Sequence, residues 1–202
     1  MNYPEFFDRV ESISLFDPLS KVLGSFTDGK ITFAYKEIVK LAGHSCPTVA
    51  GAYLMTLRAL EVLYPDSLPV RGQIKVAFKE DEQDGVAGVI GNVISDITGA
   101  TETSGFKGLN GNFARHSLMS FNAPIDSSAR FSRADTGKSV DVYYNPNVVP
   151  PSPEMQPLMQ KVMMQTASEE EQKAFGKLWQ ERVERILCEN SKNEDLIKIV
   201  EI

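Results

Sequence analysis

Gly43-His44-Ser45-Cys46-Pro47-Thr48-Val49-Ala50-Gly51-Ala52-Tyr53-Leu54 is the stretch on which the fold reading turns. Pro47 suits the first turn of a helix, where its missing N–H would have no intrahelical partner anyway. Val49, Tyr53, Leu54, Leu57, Leu60 and Leu63 follow at helical spacing. The pattern predicts a central helix that starts at Pro47, with Cys46 at or beside its N-cap and His44 in the loop that leads in. Gly43 allows a sharp turn, and Ala50, Gly51 and Ala52 let another segment approach the first turns closely. A helix start offers free N–H groups and the positive end of the dipole, which favour a thiolate over a thiol. A thiolate and an imidazole on one tight loop form half of a transition-metal site. The same residues also fit a small buried thiol beside a histidine that bonds a carbonyl.

Upstream of this loop, Tyr35 to Leu41 reads as a helix and Ile31 to Phe33 as a short strand, with turn signals at Gly24 and Asp28-Gly29. Residues 1–20 read as an amphipathic helix with Phe6, Phe7, Val10 and Ile13 on one stripe, ending near Asp17-Pro18. Downstream, Gln73 to Phe78 alternates as a strand does, and Gly85 to Ile97 fits helical spacing. Residues 98–112 form a long loop rich in glycine and polar residues, without a Walker or Rossmann spacing. Phe113 to Asn122, around Phe131, and Val140 to Tyr144 are strand candidates. Residues 145–153 carry four prolines and connect to C-terminal helices over 153–188. There Met155, Leu158, Met159, Val162 and Met163 make a stripe suited to core or to a dimer surface. Ser168 with Glu171 is a capping box that opens a second helix. Leu196 to Ile202 alternates as a last strand. The whole is one α+β domain over 1–202, a single mixed or antiparallel sheet packed with helices.

With 202 residues, 42% hydrophobic and 24% charged, the chain can bury one good core. Its net charge of −6 gives no electrostatic footprint for nucleic acid, and no apolar run approaches a membrane span. The first residues lack the basic region and apolar core of a signal peptide, which makes the cytoplasm the expected compartment. The two cysteines, Cys46 and Cys188, are then expected as free thiols.

Gly43-His44-Ser45-Cys46-Pro47, the helix with small residues in its first turns, Thr98-Gly99, and Gly111-Asn112-Phe113 resemble the core domain of the E-type family of formylmethanofuran dehydrogenase components. That family carries a GHxCPG loop, a later TGCT and a KGNL-like segment. The helix opened by Ala167 to Glu171 is similar to the family's closing helix. The resemblance implies an α+β core, a homodimer, and metal-site roles for His44 and Cys46 in a groove. Three departures stand out. Thr48 replaces the glycine after the proline, Ala100 stands where TGCT has cysteine, and no zinc-finger spacing occurs.

These readings lead to a divalent transition metal, zinc before nickel or iron, held by His44 and Cys46. The third ligand would be His116, or else Glu80, Asp81, Glu82 or, more weakly, Glu102 or Thr98. Its chemistry would be Lewis-acid activation of water or a carbonyl, or binding of a small ligand. One alternative is a metal-free enzyme with Cys46 as catalytic nucleophile and His44 or His116 as base. The other is a non-catalytic binding or assembly protein for a pterin-like or organic-acid ligand.

Overall fold

The computed structural model describes residues 2–202. The chain opens otherwise than the periodicity of residues 1–20 predicts. Glu5–Arg9 is a short 3-10 turn, Ile13–Phe16 is strand β1, and Pro18–Val22 is helix α1. Phe6, Phe7 and Val10 are buried as expected. Ile13 and Leu15, however, point inward by strand alternation, and Asp17-Pro18 begins a helix instead of ending one. The Asp17 carboxylate caps α1 by accepting from the Leu19 and Ser20 amides at 3.0 and 3.2 Å. Strand β2 (Lys30–Phe33) pairs antiparallel with β1 as a separate ribbon. This ribbon adds to the single sheet the sequence suggested.

Helix α2 (Tyr35–Ala42) stops at Gly43, whose φ of +77° is the left-handed conformation glycine adopts without strain. Helix α3 (Pro47–Leu63) follows and is buried almost all round. That matches its nearly uninterrupted apolar composition. It lies between helix α4 (Ala87–Thr98) and the face of the main sheet. The sheet runs β4-β3-β5-β6-β7, with β3 Ile74–Phe78, β4 Met119–Ser120, β5 Ala129–Arg133, β6 Ser139–Tyr144 and β7 Ile197–Glu201. Only β3 and β4 pair in parallel. The α+β class with a mixed sheet is therefore as the sequence indicates.

The strand expected over 113–122 shrinks to β4. Phe113 and Ser117 take φ of +63° and +57°, which breaks any extended run. Between them Arg115 turns inward and meets Asp17 at 2.7 Å. Arg71 bonds the second Asp17 oxygen at 3.2 Å and the carbonyls of Ile97 and Asp96 at 2.9 and 3.0 Å. Asp17 and Arg115 are 4% and 6% exposed, so this is a buried ionic node. It ties the N-terminal ribbon, the end of α4 and the 99–118 loop together.

The C-terminal helices are α5 (Met155–Met163) and α6 (Glu169–Glu184), the latter running on into a π-turn over Arg185–Glu189. Of the methionine stripe, Met155 is buried, whereas Met159 and Met163 are exposed. Beyond Met155 the stripe is thus not core within this chain. The capping box at Ser168 forms as its spacing predicts. Ser168 Oγ accepts from the Glu171 amide at 3.2 Å, and Glu171 accepts from the Ser168 amide at 2.9 Å. Ser168→Ala is expected to lower stability by about 1 kcal/mol, seen as a fall in urea midpoint with an unchanged slope. No helix among the described residues is long and apolar enough to cross a membrane.

Candidate functional site

Cys46 is the N-cap of α3. Its backbone is extended, and its sulfur accepts from the Val49 amide at 3.4 Å. The loop that carries it is held from three sides. Ser45 Oγ and the Tyr35 hydroxyl lie 3.0 Å apart. The Ser45 carbonyl accepts from Trp179 Nε1 at 3.0 Å and Gln180 Nε2 at 3.1 Å, both on α6. The Tyr144 hydroxyl, from the end of β6, donates to the Pro47 carbonyl at 2.7 Å. Gly51 makes this last contact possible, since a side chain there would overlap the Tyr144 ring. The small residues of the first turns therefore admit a tyrosine.

Cys46, Tyr144, Trp179 and Arg182 border a cavity of about 560 Å³ between α3, α4, the sheet and α6. Phe78, Val86 and Ile90 supply apolar wall, and Lys79, Glu80 and Asp126 stand at its exposed side. The size and the mostly apolar lining with a few polar groups are those of a small-molecule site. Burial pushes the Tyr144 phenol well above its ordinary value, against Arg182, which lowers it. Tyr144 therefore remains a neutral hydrogen-bond donor. Burial lowers the basicity of Arg182, and the neighbouring Arg185 adds to that.

His44 is not on this cavity. It is exposed, its Nδ1 lies 3.0 Å from the Ala42 carbonyl, and it borders a smaller, separate depression with Val89 and Asp96. The sequence expected ring and sulfur to converge because they share one loop. The left-handed turn at Gly43 and the bond to Ala42 leave the ring on the other side. His116 sits in the 99–118 loop with Nδ1 3.0 Å from Ser117 Oγ, and it borders neither depression.

Of the carboxylates considered as third ligand, Glu80 shares the cavity with Cys46. Asp81 is occupied by the Asn122 amide at 2.6 Å and the Gln83 N–H at 3.0 Å. Glu82 and Glu102 do not line the cavity. Thr98 is buried and donates to the Ile94 carbonyl at 2.7 Å, and Ala100 is fully buried. Among the described residues no three His, Cys, Asp or Glu side chains group as a metal shell. The donors therefore do not fit a closed site made of His44, Cys46 and His116. Of these candidate donors, only Cys46 and Glu80 line one cavity.

Tyr144 and Arg182 carry no motif, and Trp179 reads in the sequence only as part of a helical stripe. The one local signal is that Trp179 and Arg182 are three residues apart and so share a face of α6.

The geometry describes an α+β protein with a mostly apolar cavity, bordered by one thiol, at the start of its central helix. A family model described as "FmdE, Molybdenum formylmethanofuran dehydrogenase operon" matches residues 41–197, from the end of α2 to the start of β7, and the chain belongs to the FmdE family. No curated protein matches the chain.

Proposed function

We propose that this FmdE-family protein binds a small organic molecule in the cavity beside Cys46, with the sulfur as the reactive or ligating atom of the wall. The observation that carries the reading is the placement of a helix-capping thiol on an apolar cavity of small-molecule size. Binding is preferred to nucleophilic catalysis by Cys46 because His44 and His116, the bases such chemistry would use, border other surfaces. A fragment screen by thermal shift, joined to mass mapping of alkylated cysteines, tests it. Fragments that raise the melting temperature are expected to slow alkylation of Cys46 and leave Cys188 unchanged. Stabilising fragments that never alter the Cys46 rate would contradict it.

A divalent transition metal, zinc before nickel or iron, is the second reading, favoured by Glu80 on the same cavity as Cys46. Cys46 would be the soft donor, Glu80 the hard one, and the bound molecule would complete the shell. His44 and His116 would join only after rearrangement of the 43–46 loop. Elemental analysis of protein purified without a histidine tag decides this. Stoichiometric metal that Cys46→Ala removes supports the reading, and metal-free protein in both forms rejects it. The same reading takes the protein as a cytoplasmic homodimer, with exposed Met159 and Met163 as apolar surface for the contact. A monomer at every concentration in sedimentation would remove that part.

A further inference from the structure

We infer that the Cys46 cavity takes a monocarboxylate with an apolar, ring-sized body, its carboxylate seated on Arg182. The inference rests on the binding function proposed above and names the ligand class. Arg182 is fixed in place: Nε donates to the Val149 carbonyl at 2.8 Å and Nη2 to the Pro146 carbonyl at 3.1 Å. Nη1 makes no hydrogen bond to an acceptor among the described residues, and the residue lines the cavity.

No carboxylate of the described residues lies within ion-pair distance of this guanidinium. By contrast, Arg9, Arg58, Arg71, Arg115, Arg130 and Arg133 each hold one, and Arg185, which also lacks one, does not line the cavity. Of the two acids at the cavity's exposed side, Asp126 faces Lys79 at 4.0 Å. A half-buried cation whose only acceptors are neutral carbonyls thus lines a mostly apolar cavity, whose acids, Glu80 and Asp126, stand at the exposed side. A charge-assisted bond from a fixed guanidinium to a carboxylate is among the stronger polar contacts available. Phe78, Val86, Ile90 and Trp179 suit the rest of an apolar ligand. The same walls disfavour a phosphate dianion, whose desolvation costs more than that of a single carboxylate.

Trp179 is the only tryptophan of the chain, so its emission reports this cavity. Benzoate, the neutral isostere benzamide and inorganic phosphate serve as probes in fluorescence titrations. Benzoate is expected to bind about tenfold or more tighter than benzamide. Arg182→Met is expected to remove most of that difference, read as the ratio of benzoate to benzamide affinity in the same variant, and Arg182→Lys to restore part of it. Equal affinities in the wild type, or a benzoate preference that survives Arg182→Met, overturn the carboxylate assignment and leave the cavity's binding role standing. Tighter phosphate binding overturns it as well. Silence with all three probes also overturns it, and the binding role is then judged by Cys46 protection in the fragment screen. Should Arg182→Met not fold, the wild-type comparison of benzoate with benzamide decides alone.

Discussion

Asp17→Ala is expected to destabilise the fold by about 3–5 kcal/mol, the cost of removing one partner from a buried ion pair. Asp17 does three jobs in one nearly sealed position. It caps α1, neutralises Arg115 at 2.7 Å, and holds Arg71 at 3.2 Å. Arg115 Nη1 already lacks a hydrogen-bond partner, and Gly72 and Gly99 press against its guanidinium without room for a side chain. Without the carboxylate, two guanidinium groups would face each other in a space that admits little water. Burial raises the Asp17 carboxyl, but Arg115, the Ser20 amide and Arg71 outweigh it, and the group sits below the ordinary carboxylate value.

A depressed folded-state value stabilises the protein above the unfolded-state carboxylate value of about 3.9 and is lost as pH falls through the folded one. Urea unfolding across the acid range therefore has two expected outcomes. The wild type loses stability as pH drops below about 4, and Asp17→Ala, starting lower, loses less over the same interval. Parallel curves for the two proteins would show that the node is not ionic in the way described.

Gly51→Ala is the second large effect, and its sign is the informative part. Inside an exposed helix this change stabilises by about 1 kcal/mol, because alanine is the better helix former. Here the new methyl would overlap the Tyr144 ring that lies against α3. Crowding of this kind costs about 1–3 kcal/mol. Relief by moving the ring would break the Tyr144 bond to the Pro47 carbonyl and reshape the wall beside Cys46. A net loss of stability is expected. Adding Tyr144→Leu to Gly51→Ala is expected to recover part of it, so that the double variant is more stable than the two single losses summed. Additive losses would mean that ring and helix do not press on each other.

Much of the architecture is legible in the chain. Pro47 followed by apolar residues at helical spacing marks α3. The alternations at Gln73 to Phe78, Val140 to Tyr144 and Leu196 to Ile202 mark three strands of the sheet. Ser168 with Glu171 marks the start of α6. The N-terminus is ambiguous for a physical reason. Phe6, Phe7, Val10 and Ile13 satisfy a helical stripe, yet the decisive interaction is the Asp17 cap, which turns Asp17-Pro18 into a start signal. The loop after α4 misleads because Arg115 is drawn inward by an acid 98 residues away, which no local pattern announces.

The site divides in the same way. Cys46 as a helix cap follows from Pro47. The side on which His44 falls is set by the Gly43 turn and the Ala42 carbonyl. Tyr144, Trp179 and Arg182 reach the cavity beside Cys46 from β6 and α6 through tertiary packing, for which sequence spacing carries no record.

Cys46 and Trp179 line the same cavity at the start of α3. A bimane label, whose emission is quenched by tryptophan at contact range, can be attached to Cys46 in a Cys188→Ser background and compared with the same label in Trp179→Phe. The label is expected to attach, its emission to be strongly quenched, and the emission to return when the indole is removed. Refusal of the label by natively folded protein, or emission indifferent to residue 179, would contradict this placement.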